Sequence, residues 1–379
     1  MRIAILAAVF SFLLSSGIVA AEDSAKPSIP ANTLFTDACK LIPEVPDACT
    51  IAVAAATFLA PTYEPRKATD GERRLSELGY VAQYYPARSG LFGDLTDAFL
   101  IAERGGNRVY LVITGTESGR DWIENAKAKA YTSKWRDGYY YTPPGHAGFR
   151  SGALNVIRKL LVANEFDQAP LAFPTARSEL SRFLCRAELR PGPDGKIGIV
   201  LAGHSRGAAI AQLLAPALSG YEMVVPSETP GQAVAVQGHW PLRLDALVGF
   251  AMPISVYTRT DDEAGLDLAG KPDQWDVYGR AKVAEKSLIF LNERDIVPLL
   301  SLGLGAQLGH QFRLEPSEAR ANKIFYSRFN SANALSLIQA HGSGGYCEDV
   351  LKAFGADEPE GDAGKCEKRT FSQPPVTRR

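Results

Sequence analysis

Hydrophobic residues along the chain fall into two patterns, short unbroken runs and longer stretches at helical spacing. The Ala-rich run 51–59 predicts a buried helix, and 73–78 a short helix stopped at Gly79. Residues 97–102 and 109–113 are β-rich and separated by Gly105-Gly106, which predicts a hairpin. Between 149 and 162, Leu154, Ile157, Leu160 and Leu161 recur on one helix face. Another helix is predicted over 178–189, with Cys185 on its apolar side, then a turn at 191–195. Residues 197–202 read IGIVLA, the type of strand buried on both faces of a parallel sheet. Gly203-His204-Ser205-Arg206-Gly207 follows at once, then the apolar helical run 208–218. Further strands are predicted over 244–250 and 287–291, and a last helix over 330–340. The Pro-rich stretch 225–241 and the charged stretch 258–280 read as long connections. Strands alternating with helices predict the α/β class, a central, mostly parallel sheet with helices on both faces. No repeat or linker is evident, so a single domain is expected over 22–353, followed by a polar, flexible tail over 354–379.

The first residues change the picture. Met1-Arg2 is a short positive start, 3–18 is nearly all apolar, and Ala20-Ala21 precedes Glu22-Asp23. That pattern predicts a secretory signal peptide over 1–21, with export to the periplasm or the medium. No other stretch is long and apolar enough to predict an integral membrane span once the signal is cleaved. Export lets disulfides persist. Local pairing of the five cysteines gives Cys39–Cys49 and Cys347–Cys366 and leaves Cys185 outside either bridge. Lys and Arg total 41 against 42 Asp and Glu, a net charge of -1. A nucleic-acid partner is disfavoured, because phosphate neutralisation needs concentrated positive charge.

The chemistry concentrates at residues 197–218. A buried strand, G-x-S-x-G and an apolar helix together form the pattern of a nucleophile elbow. The turn is so tight that small residues are needed at 203 and 207. Ser205 is then the candidate nucleophile. The Arg206 N–H is a candidate oxyanion donor at a helix N-terminus, where developing negative charge is favoured. A serine hydroxyl needs a base, and there are five histidines. In the order nucleophile, acid, base, His341 is favoured, with His310 second. His341 follows a predicted helix and precedes Gly342-Ser343-Gly344-Gly345, which reads as a flexible loop. The acid should lie just past a strand end. Asp295, after 287–291, meets that condition, with Asp261 or Asp262 as competitors. The second oxyanion donor is expected after strand 109–113, at Thr116 beyond Gly115. No metal or organic cofactor is required by this chemistry, and few histidines with no C-x-x-C pair give a zinc site poor support.

On these residues the sequence resembles the class 3, fungal-type lipases of the α/β-hydrolase superfamily. The stretches that carry the resemblance are VYLVITGTESGRDWIENA (109–126), GHAGFRSGALNVIRKLL (145–161), IGIVLAGHSRGAAIAQLLAPAL (197–218), FAMP (250–253) and RDIVPLL (294–300). The resemblance implies an α/β-hydrolase fold and a catalytic triad of Ser205, Asp295 and His341. It also implies an oxyanion hole at Thr116 and Arg206, and a lid beginning at Ser118 with Trp122 and Ile123 on it. The substrate it implies is a lipid or small ester, met during transient contact with a lipid interface. A phospholipase would use the same triad, and a non-catalytic lipid- or protein-binding module could reuse the scaffold, with the protein partner unknown. The chain departs from the family where Arg206 stands in place of a usual Leu and Ala208 in place of a frequent Gly. Ile113-Thr114 also replaces an aromatic and an Arg. His310, ahead of a predicted edge strand over 311–314, resembles a recurrent structural His. Inserts at 163–195, 221–242 and 258–284 exceed what a minimal member needs.

Overall fold

The computed structural model describes residues 42–62, 68–88, 95–115, 130–131, 145–161, 179–218, 222–226, 236–253, 255, 283–292, 295, 298, 309–314, 343–356 and 366. Helices are α1 (Ala48–Thr62), α2 (Ala68–Glu77), α3 (Ala147–Leu161), α4 (Glu179–Arg186), α5 (Arg206–Leu218) and α6 (Ser343–Ala353). Strands are β1 (Tyr80–Arg88), β2 (Leu95–Glu103), β3 (Arg108–Ile113), β4 (Ala130–Tyr131), β5 (Gly145–His146), β6 (Ile197–His204), β7 (Glu222–Pro226), β8 (Val236–Phe250), β9 (Ser287–Asn292) and β10 (His310–Leu314).

The main sheet runs β1-β2-β3-β6-β8-β9-β10, with β7 paired to β8 off this path. From β3 to β10 every pairing is parallel, while β1, β2 and β3 are antiparallel. Strand side chains alternate between the two faces, as the pleat demands. On β6, Ile197, Ile199 and Leu201 pack with Phe149, Ala153, Leu184 and Leu213 of α3, α4 and α5. Val200 and Ala202 point the other way, into a cluster with Ile51, Phe58, Tyr346 and Val350 of α1 and α6. An aromatic row crosses that second face. Phe290 stacks on Phe250 and Phe312 at centroid distances of 5.4 and 4.9 Å, and meets Phe354 edge-on. The tail predicted from 354 therefore begins with a buried ring.

Several expectations are corrected. The stretch 225–241 is not a plain connection. Glu222–Pro226 and the first half of β8 form an antiparallel ribbon that continues β8 beyond the sheet. Proline hid it: Pro226 and Pro241 argue against strand, yet a ribbon end tolerates prolines that a central strand does not. Strand β1 was not foreseen either; it carries Pro86 and lies at the sheet's edge, where a missing ladder donor costs little. The Gly-rich stretch after His341 is not a loop from 343 onward but the first turn of α6. Tyr346, Cys347, Val350, Leu351 and Phe354 supply the helical spacing that outweighs its glycines. The predicted helix 330–340 and the connection 258–280 lie outside the described residues.

Cys347 and Cys366 are bridged, as local pairing predicts, and the bridge ties the tail to α6. Cys49 is disulfide-bonded as well, while Cys39 lies outside the described residues. Cys185 is a thiol. At the opposite, amino-terminal end of the parallel strands, the buried Asp245 accepts hydrogen bonds from Arg108 Nε at 2.8 Å and Arg243 Nε at 2.7 Å. The Arg108 bond ties β3 to β8 across β6. Gly198 of β6 is what lets the carboxylate lie there, since a Cβ at 198 would sit on Asp245 Oδ2.

Candidate active site

β6 ends and α5 begins with no loop between them. Ser205, the joint, has φ of 55°. That left-handed conformation costs a residue with a Cβ about 1–2 kcal/mol and persists when the surroundings enforce it. The enforcement is visible. The Ser205 N–H donates to Phe250 O on β8 at 2.8 Å, and Ser205 O accepts from the Ala208 and Ala209 N–H groups of α5 at 3.0 and 3.2 Å. The flanking glycines leave the space. A Cβ on Gly203 would lie 2.6 Å from Gly207 C, and one on Gly207 would lie 2.6 Å from Thr114 O and still nearer Ile113 O. Both clashes are with backbone, so no rotamer change relieves them. The same device recurs one strand along. Ala251, just past β8, has φ of 51° and donates to Phe290 O on β9 at 3.0 Å. Nothing in the sequence flags Ala251, because alanine carries no turn signal.

The contact of Gly207 with Ile113 O and Thr114 O has a second consequence. It sets the carboxyl end of β3 against the N-terminus of α5. Thr114 is buried and anchored by its N–H and its hydroxyl to Asp97 O on β2, at 3.0 and 3.2 Å. Chain leaving Gly115 thus starts beside the elbow. Thr116, Ser118, Trp122 and Ile123 lie outside the described residues. Arg206 has its backbone in the first turn of α5 and its side chain fully buried. The guanidinium is therefore interior rather than displayed to solvent.

Asp295 follows β9 by three residues and is 3% exposed. Its N–H donates to Asn292 O at 2.9 Å, closing a tight turn at the strand's end. Its Oδ2 accepts a hydrogen bond from the Tyr346 hydroxyl at 2.8 Å. That hydroxyl in turn accepts the Asn292 N–H at 2.9 Å. The Asn292 side-chain amide donates to Asp349 Oδ2 at 3.2 Å. Tyr346 and Asp349 both belong to α6. The Tyr346 ring also meets the His204 ring edge-on, at a centroid distance of 5.5 Å. His204 immediately precedes Ser205. One tyrosine therefore touches the elbow strand with its ring and the Asp295 carboxylate with its hydroxyl. Burial, and then the charge of Asp295, hold the Tyr346 hydroxyl proton well above the ordinary tyrosine range.

Reading the sequence missed Tyr346, although the helical spacing from 346 to 354 was available to place it. Among the alternatives, His310 opens β10 with its Nε2 3.1 Å from Glu285 O, a strand-end contact. His341, Asp261 and Asp262 lie outside the described residues. Among those described, no cluster of three or more His, Cys, Asp or Glu is arranged to hold a metal ion. A surface cavity of about 490 Å³, lined by Val53, Thr57, Leu78, Tyr80 and Phe354 among others, contains none of the candidate site residues.

No family model matches the chain, and no curated protein matches it. Solved structures do. M37 lipase is similar over 80% of this chain and 92% of its own, at 14% identity and a TM-score of 0.45. Lip2 lipase from Yarrowia lipolytica is similar over 72% of this chain and 80% of its own, at 16% identity and a TM-score of 0.39. A lipase from Rhizopus microsporus var. chinensis is similar over 73% of this chain and 75% of its own, at 17% identity and a TM-score of 0.34. On its own sheet order, its parallel centre and the strained serine between β6 and α5, the chain has the α/β-hydrolase architecture.

Proposed function

We propose that the chain is an exported serine ester hydrolase of the lipase type, acting on lipid esters through an acyl-serine intermediate. The observation that carries this reading is the left-handed Ser205 between two glycines that admit no side chain, at the N-terminus of a helix. An interior loop serine has no need of such strain; a nucleophile that must stand clear of the sheet does. In the proposed cycle His341 takes the Ser205 proton as the hydroxyl attacks the ester carbonyl. Asp295 orients the imidazole and balances the imidazolium. The N–H groups of Arg206 and Thr116 hold the oxyanion, each contributing about 3 kcal/mol. The imidazolium then protonates the leaving alkoxide, and water repeats the sequence against the acyl-serine. The segment from Ser118, with Trp122 and Ile123, would cover an apolar cleft in water and open at a lipid surface.

Initial rates on short-chain nitrophenyl esters, triolein and phosphatidylcholine vesicles test the reading. We expect hydrolysis of at least one neutral ester series, lost about a thousandfold or more in Ser205→Ala. Phospholipid cleavage without triolein cleavage would move the assignment to a phospholipase. Ester hydrolysis that survives in Ser205→Ala at the wild-type rate would overturn it.

A further inference from the structure

The triad accounts for Asp295 but leaves the hydroxyl that holds it without a role. Tyr346 is fully buried and its oxygen is fully committed: it accepts from the Asn292 N–H at 2.9 Å and donates to Asp295 Oδ2 at 2.8 Å. Because the acceptor site is taken by a backbone donor at the end of β9, the hydroxyl proton has one direction left, toward the carboxylate. The ring is held too, edge-on to His204 of the elbow strand and within the buried cluster that α1 and α6 form on that face of the sheet. Among the described residues, the titratable groups that face it are Asp295, Asp349 and His204.

Placement on the chain adds a second constraint. Tyr346 sits in the first turn and a half of α6, which begins two residues after His341. The bridge from Cys347 to Cys366 fixes that helix from the next position along. One short, pinned helix therefore leads directly from the proposed base and carries the hydroxyl that binds the proposed acid.

We propose that Tyr346 is a positioning residue that fixes the Asp295 carboxylate and, by donating to it, limits how strongly that carboxylate stabilises the protonated base. The inference rests on the hydrolase reading above. A carboxylate that already accepts a charge-assisted hydrogen bond has part of its negative charge satisfied. Less of it is then available to the imidazolium, so the base keeps a lower pKa and stays competent at lower pH. The high proton affinity of the buried hydroxyl agrees with a group that remains a donor across the working range.

The pH dependence of kcat/KM on a soluble ester tests this. In Tyr346→Phe, Asp295 loses its donor, and the acid limb should move upward by about half a pH unit or more. kcat should fall about tenfold with KM nearly unchanged, because the interaction lost acts on the reacting groups rather than on ground-state binding. Should the Phe variant fold poorly, 3-fluorotyrosine at 346 keeps the shape and makes the hydroxyl a stronger donor, and the acid limb should then move downward. Opposite shifts in the two variants support the inference. A variant less stable to urea whose acid limb and kcat match wild type would assign Tyr346 a purely structural role and overturn it. Failure of the hydrolase reading is seen separately, as wild-type activity that does not depend on Ser205.

Discussion

The elbow and the acid corner meet at a single ring, yet they are built in opposite ways. The elbow, from Gly203 to Ala208, is one continuous segment wedged against the backbone of β8 and the end of β3. Its strain at Ser205 is held by backbone hydrogen bonds and by glycines that leave no room for a Cβ. The acid corner is made by distant segments. Asn292 and Asp295 follow β9, and the groups that hold them, Tyr346 and Asp349, come from a helix with sequence separations of 51 to 57. Backbone packed on backbone makes the elbow intolerant of any added atom. Non-local construction makes the acid corner dependent on how firmly α6 is docked. The two regions should therefore fail differently, one sterically and all at once, the other by loosening.

The largest effect is expected at the elbow. Gly207→Ala drives a methyl into Ile113 O and Thr114 O, and both are backbone atoms of a buried strand. Strand and helix would have to separate, at a cost of about 3 kcal/mol or more. We expect little soluble protein, or a strongly lowered urea midpoint by circular dichroism. A wild-type midpoint would mean the elbow is not held as tightly as described.

At the acid corner the counterpart is the disulfide. Replacing Cys347 and Cys366 together by serine should lower stability by about 3 kcal/mol through the chain entropy of the reopened loop. Ester hydrolysis should be lost at a lower urea concentration than the bulk helical signal, because α6 undocks first. Coincident loss of both signals would contradict the loosening picture.

This division also explains what could be read from the chain. The parallel centre, the elbow and the helices α1, α3, α4 and α5 announce themselves in local pattern, since a run such as IGIVLA or apolar residues on one helix face need no partner to be recognised. The strained joint at Ser205 follows from the same locality, and Asp295 was reached as a candidate by the rule that an acid lies just past a strand end. What escaped was decided elsewhere in the fold. β1 and the β7–β8 ribbon keep prolines that only edge or protruding positions permit. The start of α6 keeps glycines that its packing against α1 and the sheet outweighs. Tyr346 was invisible as a site residue for that reason, because its role depends on a hydrogen bond to a strand end far away in sequence.

A smaller effect should come from Asn292→Ala. The backbone N–H that reaches Tyr346 survives, and the amide on Asp349 is lost. Stability should fall by about 1–2 kcal/mol, measured by urea unfolding, with the acid limb of the pH profile unchanged. A shifted acid limb would place Asp349 in electrical contact with the reacting groups.

The smallest expected effect is alkaline. Tyr346 keeps its proton in the folded protein above the pH, about 10, at which an unfolded tyrosine releases it. Above that pH the folded state binds more protons than the unfolded one, so stability contributed below pH 10 is lost as pH rises. Tyr80, Tyr85 and Tyr110 are raised in the same direction, chiefly by burial. Tyr346→Phe should therefore flatten the alkaline decline in part, as read from urea midpoints between neutral pH and pH 11. An unaltered slope would remove Tyr346 from that set.

The most direct test of the central claim is to treat the intact chain with a fluorophosphonate ester and map the adduct by peptide mass spectrometry. The account predicts one phosphonyl group, on Ser205, with parallel loss of ester hydrolysis. Label on a different residue, or full inactivation with Ser205 unmodified, would contradict it.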